Sequence, residues 1–203
     1  MGEGLRYINK IWNYFSNLYR LLRATLLYRW RFGKCGRGVF FGRMNTIRGH
    51  KYIEIGDNCC FGDNMRIEAI DRWGGVSFTP KIVLGNGVFI NQNFHCTCAS
   101  SIVIGDGTSI TANCGVFDII HPYEDINMNP RLAEIKTKPI SIGKNCLIGM
   151  NTVIMPGTQL GNHCVVGANS TVFGVFSDYS VLAGSPAHVV KRYDFVGKEW
   201  KKK

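Results

Sequence analysis

Among the five histidines, His121 has surroundings that could support chemistry. It precedes Pro122, follows Asp118 by three residues, and opens a polar stretch punctuated by Pro130 and Pro139. A neutral imidazole with an ordinary pKa near ~6.5 can take the proton of a hydroxyl as that hydroxyl attacks a carbonyl. Positioned base catalysis of this kind is worth roughly 10²–10⁴ in rate. Asp118 suits two roles equally: it could orient the imidazole of His121 or cap the loop that His121 opens. Asn91 could orient an acceptor or help polarise a carbonyl, although its type also suits an exposed turn. His95 closes the six-residue unit that contains Asn91; it is either a second pocket residue or a stacking surface residue, and its type favours the latter.

These residues sit in a chain built on repetition. One phrase recurs four times, as IEIGDN at 53–58, IVLGNG at 82–87, IVIGDG at 102–107 and ISIGKN at 140–145. An aliphatic residue then returns every six positions, most clearly at Ile142, Ile148, Ile154, Leu160, Val166 and Val172. Glycine follows the aliphatic at 56, 62, 85, 105, 143, 149, 161 and 167. A period of six cannot hold one face of a helix, since six residues turn through ~600°. Short strands broken by tight turns can hold it, with one aliphatic per strand pointing inward. Stacked turns then form a prism with layers ~4.8 Å apart. The cysteines fit that frame. Cys59, Cys114, Cys146 and Cys164 take the small-residue position, and Cys96 takes an inward one. They read as small apolar fillers, with no disulfide and no metal expected. Cys96 and Cys98 lack zinc-site spacing, and His95, His121 and His163 lack the paired spacing of a three-histidine zinc site.

The repeat resembles the left-handed parallel β-helix of the hexapeptide-repeat acetyltransferases, whose coils have three sides and eighteen residues. Against that coil, Leu84 to Ile104 is close to one turn, while Ile55 to Leu84 and Ile104 to Ile142 are long. The excess predicts insertions at about 71–80 and 118–139, and solenoid insertions often build the binding face. Residues 84–121, with Asn91 and His121-Pro122, are similar to galactoside and maltose O-acetyltransferases. Residues 53–193 look still more like the polysaccharide and lipopolysaccharide O-acetyltransferase branch. The resemblance implies an acetyl-CoA-dependent O-acetyltransferase acting on a sugar hydroxyl of a glycan, with His121 as general base and Asn91 as the candidate to orient the acceptor or polarise the carbonyl. It implies a homotrimer with acetyl-CoA between subunits, near Gly149, Met150, Gly167, Ala168 and Lys191. Phe173-Gly174 stands where the family has Thr-Lys, so the cofactor phosphates must be gripped differently. N-acetylation of an amino sugar nucleotide or of an antibiotic is the enzyme alternative, and a non-enzymatic scaffold is a distant third.

Charge is concentrated at the ends. Of a net +10, residues 1–43 hold nine Lys/Arg against one Glu and residues 191–203 hold six against two, while residues 44–190 are at −2. A neutral body argues against a nucleic-acid partner. Neither a signal peptide nor an ~18-residue apolar span is expected, which suggests the cytoplasm. The predicted organisation is a basic amphipathic helical segment at 1–35, the β-helix at 36–190 and a basic tail at 191–203. Ile8, Ile11, Trp12, Phe15, Leu18, Tyr19, Leu22 and Leu26 form the helical stripe. That helix either caps the solenoid, packs on a neighbouring subunit, or lies peripherally on an anionic membrane.

Overall fold

A computed structural model describes residues 10–16, 18, 19, 22 and 28–203. The other positions of the predicted helical stripe, Ile8 and Leu26, lie outside the described residues. From Lys34 onward the chain winds as a three-sided parallel β-helix. The first sheet begins at Lys34–Cys35 and passes through Ile53–Ile55, Lys81–Leu84, Ser101–Ile104, Ile140–Ile142, Gln159–Leu160 and Val175–Phe176. The second runs from Phe40–Phe41 to Ser180–Gly184, and the third from Met44–Arg48 to Thr171–Val172.

The six-residue period is the period of the sides. Ile142, Ile148 and Ile154 point inward from the first, second and third sheets, and Leu160, Val166 and Val172 repeat the cycle one coil later, each in register with its counterpart. All six are buried. Like residues therefore stack on like residues, as in Ile90, Ile110 and Ile148 along the second sheet. Burial of such side chains is worth about 1.5–3 kcal/mol each.

Two corners of the prism are tightened by backbone and small side chains. At the corner between the second and third sheets, Asn64, Asn93, Asn113, Asn151 and Asn169 all adopt φ between 57° and 61°. Asparagine tolerates this left-handed conformation. Each side-chain amide donates to the next one up, at 2.8–3.1 Å, forming a continuous ladder. The small-residue position adds a second cross-link. Cys59 and Cys146 donate their thiols to the carbonyls of Gly85 and Gly161 in the following coil, at 3.0 and 3.1 Å, and Thr108 does the same to Gly143 at 2.8 Å. The thiols of Cys59 and Cys114 are pushed up by burial, so they stay neutral donors.

The two insertions appear where the spacing placed them. The first carries the hairpin Arg72–Trp73 with Val76–Ser77, and the second an antiparallel pair, Ile119–Ile120 with Lys136–Thr137. Residues 191–203 differ from the expected tail. Ala187–Asp194 and Glu199–Lys202 extend the second sheet as an antiparallel ribbon, with Tyr193 packed on Phe195 and Trp200. The ribbon covers a sheet edge that would otherwise expose unpaired backbone. At the other end Tyr28 and Phe32 close the core by packing on Phe41, whose ring stacks on Phe61 at 5.1 Å. The end is therefore capped by these two rings. The described large apolar side chains upstream, among them Trp12, Phe15 and Tyr19, are exposed.

Candidate active site

The residue after each inward position sets the character of a corner. On the first sheet it is Gly56, Gly85, Gly105, Gly143 and Gly161; on the second, glycine or a small polar residue, including Asn91, Gly149 and Gly167. On the third sheet the same position holds Arg48, Glu68, Thr97, Phe117, Met155 and Phe173. Both insertions leave from this third corner. One edge of the prism is thus bulky, charged and decorated with loops.

His121 lies at that edge, exposed, at the end of the strand Ile119–Ile120. Trp73, from the hairpin of the first insertion, meets its imidazole edge-on with centroids 5.7 Å apart. The two loops therefore converge on one ring. Beside it lies a groove of about 660 Å³ whose walls include Phe117, Ile119, Ile120, Met155 and Phe173 with His121 at its rim. Phe117, Met155 and Phe173 stand one above another because their strands pair in register. Gly115 makes room for Phe117, since a Cβ there would lie 2.7 Å from the ring. The groove can shelter an extended, largely apolar chain while one polar group projects from its edge.

Asp118 resolves one of the two roles the sequence allowed. Its side chain is fully buried. One carboxylate oxygen accepts from the Ala99 N–H at 2.8 Å; the other accepts from the Ser100 N–H at 2.8 Å and the Cys98 thiol at 3.2 Å. Both oxygens are given to the preceding coil and neither to His121. The backbone carbonyl of Asp118 also accepts from the Lys138 N–H at 2.8 Å, closing the base of the insertion. Asp118 anchors the loop that carries His121, so it acts on the imidazole only by position. Burial and the adjacent carboxylate together push the Cys98 thiol well up, keeping its proton on sulfur.

The remaining expected residues fall at a different corner. Asn91 is half-buried where the second sheet turns into the third, and its N–H donates to the Ile110 carbonyl at 2.9 Å. Gly149 and Gly167 occupy the same place in later coils, as Ile90, Ile110, Ile148 and Val166 pair in sequence. Met150 and Ala168 follow them and are exposed. A Cβ on Gly149 would lie 2.5 Å from the Ala168 nitrogen, so coil stacking alone requires glycine there. Lys191 is exposed on the C-terminal ribbon opposite Val181. Within one chain Asn91, Gly149, Met150, Gly167 and Ala168 form one strip, and His121 with its groove forms another, on opposite edges of the third sheet. His95 lies between the strips. Its ring packs edge-on against Phe117 at 5.0 Å and its Nε2 is 3.2 Å from the Thr97 hydroxyl. Burial, with Arg66 nearby, holds the His95 imidazole below its usual pKa.

Comparison with known proteins fits this architecture. A model for the hexapeptide repeat of succinyl-transferase matches residues 52–92 and 139–173. WbbJ of Escherichia coli (strain K12), named for lipopolysaccharide biosynthesis and O-acetyl transfer, is 33% identical over 190 residues, covering 90% of this chain and 92% of its own. The chain belongs to the hexapeptide-repeat acetyltransferase family. Galactoside O-acetyltransferase of the same organism is 31% identical over 116 residues, 57% of this chain and 56% of its own. Among solved structures, a variant of AntD, an N-acyltransferase from Bacillus cereus in complex with dTDP and coenzyme A, superposes with TM-score 0.67 at 19% identity. It covers 84% of this chain and 89% of its own, so the left-handed parallel β-helix is the shared fold. Membership makes the protein an acyltransferase.

Trp73 and the stacked wall of Phe117, Met155 and Phe173 were not read from sequence, whereas capping of the loop was one of the two roles the sequence allowed Asp118. The absence of glycine after every third inward residue was the available signal. Asp118→Ala would leave the buried Ala99 N–H without an acceptor, at about 1–3 kcal/mol, and the half-buried Ser100 N–H likewise, at about 1 kcal/mol. The variant is expected to lose roughly 2–4 kcal/mol in chemical denaturation. Stability within about 0.5 kcal/mol of wild type would show that the carboxylate does not hold the turn.

Proposed function

We propose that the protein transfers acetyl from acetyl-CoA to a sugar hydroxyl of a polysaccharide or lipopolysaccharide precursor, with His121 as general base. The observation that carries this reading is the exposed imidazole of His121 at the rim of a groove walled by Phe117, Met155 and Phe173. Acetyl-CoA would supply an activated thioester and a slender pantetheine arm, and the groove suits such an arm. His121 takes the hydroxyl proton as the sugar oxygen attacks the thioester carbonyl, and the proton later passes to the departing thiolate. Exclusion of water by Trp73 and the apolar wall favours the sugar over hydrolysis. The similarity to WbbJ over nearly the whole chain favours an oxygen acceptor within a glycan; the likeness to AntD carries only the fold.

A homotrimer would complete the site. His121 and the strip of Asn91, Gly149, Met150, Gly167 and Ala168 lie on opposite edges of the third sheet, so a second copy can bring its strip to face the first copy's groove. Asn91 then reaches the acceptor or the carbonyl, the glycines let backbone approach the pantetheine arm, and Lys191 lies toward the phosphates. His121→Ala is expected to lower the acceptor-dependent release of CoA thiol by roughly 10²–10⁴ with unchanged thermal unfolding, because the side chain is exposed. Wild-type turnover in that variant would remove the general base from the account.

The place of work is the cytoplasmic face of a membrane. No helix among the described residues is long and apolar enough to cross a bilayer. Trp12 is 76% exposed, and Phe15 and Tyr19 are also exposed, in a segment whose first 43 residues carry net +8. Aromatic side chains beside basic ones suit the interface of an anionic bilayer. The full chain is expected to float with phosphatidylglycerol-containing liposomes and less with uncharged ones, and a Trp12→Ser, Phe15→Ser, Tyr19→Ser variant to stay in solution. Equal partitioning of the two proteins would end this part of the proposal.

A further inference from the structure

The third corner changes character along its length. Above the coil that carries His121 it is apolar, with Met155 and Phe173. Below that coil it is charged. Glu68 stands beneath Thr97, Thr97 beneath Phe117, and Arg48 beneath Glu68, each in register. In the neighbouring outward column Arg66 lies beneath His95 and His95 beneath Gly115. The row of Arg66 is thus two strand spacings, about 10 Å, below the coil from which His121 departs.

Glu68 is the centre of this cluster. Its side chain is only 6% exposed, a costly place for a carboxylate unless it is paired. Arg66 donates its Nε–H to one carboxylate oxygen at 2.6 Å, and Arg48 lies with its Nε 3.4 Å from the other. Both guanidinium groups therefore turn the same corner toward Glu68. Each keeps terminal N–H groups free for another acceptor, because arginine has five donors in a fixed fork. Arg66 is 53% exposed and Arg48 74%, so both can be reached. Two cations share one buried anion, which leaves one positive charge. His95, whose Nε2 is 4.0 Å from Glu68, adds a ring donor or acceptor between this charge and the groove.

We propose that Arg48 and Arg66, held by Glu68, form a subsite for a phosphate group on the acceptor, below the hydroxyl that His121 activates. This deepens the acetyl-transfer reading and rests on it. Guanidinium pairs recognise phosphate by charge-assisted hydrogen bonds. The phosphates of the donor are the other source of that chemistry, and the geometry points away from them. The residues expected to meet acetyl-CoA, Gly149, Gly167 and Lys191, belong to later coils and the C-terminal ribbon, whereas Arg48 and Arg66 belong to the first coils. The acceptor would therefore be a sugar carrying a phosphate or diphosphate one to two ring lengths from the reacting hydroxyl.

Calorimetric titration of inorganic pyrophosphate into the full chain saturated with acetyl-CoA tests this, since the donor site is then filled. Wild type and His121→Ala are expected to bind pyrophosphate equally. Arg66→Gln and Arg48→Gln are expected to bind it roughly tenfold or more weakly, and Arg66→Lys in between. Acetyl-CoA affinity is expected to be unchanged in all of them. Because Arg66→Gln strips Glu68 of its closest partner, the double variant Arg66→Gln, Glu68→Gln keeps the fold neutral at that point and should show the same loss. Failure of the wild type to bind pyrophosphate, equal binding by the arginine variants, or a loss of acetyl-CoA affinity instead would each overturn the subsite. Retention of pyrophosphate binding in an inactive His121→Ala protein separates this result from the question of the base.

Discussion

Backbone closeness between successive coils governs this molecule. Layers ~4.8 Å apart leave no room at the turns for side chains that point along the axis. Glycine at Gly56, Gly85, Gly143 and Gly149 is the direct consequence: a Cβ at any of them would lie within 3 Å of the next coil's backbone. The same constraint makes each side chain stack on its counterpart above. That stacking turns five asparagines into an amide ladder and aligns the inward aliphatics into one continuous core. Stability is distributed over neighbour-to-neighbour contacts, as in other solenoids.

The proposed site occupies the corner where this constraint is relaxed. The third sheet ends in residues with large or charged side chains, and the chain leaves the stack there twice. What leaves must still be anchored. Asp118 does this by giving both carboxylate oxygens to the 98–100 turn, so that the loop bearing His121 starts from a fixed point. Trp73 supplies the opposing contact from the other insertion. A rigid prism, one anchored loop and one aromatic neighbour are enough to hold an exposed imidazole in a constant place beside an apolar wall. Binding sites in solenoids commonly arise in this way, on loops projecting from one face.

The period of six, the inward columns and the positions of both insertions were legible in the sequence because they follow from local spacing. The cysteine fillers were legible for the same reason. The contact of Trp73 with His121 was not, because it joins two separate insertions and depends on how each loop folds back. Asp118 was ambiguous, since a carboxylate three residues from a histidine can serve either role and only its partners across the coil decide. The C-terminal ribbon was hidden by composition: residues 191–203 are rich in lysine, yet Tyr193, Phe195 and Trp200 give them a packed side. The third corner could have been read earlier from the missing glycines at Thr97, Phe117, Met155 and Phe173.

The central claim is that one groove at the third corner receives the donor and that a neighbouring copy closes it. A crystal structure of the protein with coenzyme A bound tests this most directly. The account predicts the pantetheine arm against Phe117, Met155 and Phe173 of one copy and the Gly149–Gly167 strip of the next, with the sulfur beside His121. Coenzyme A bound away from His121, or held wholly within a single chain, would contradict it.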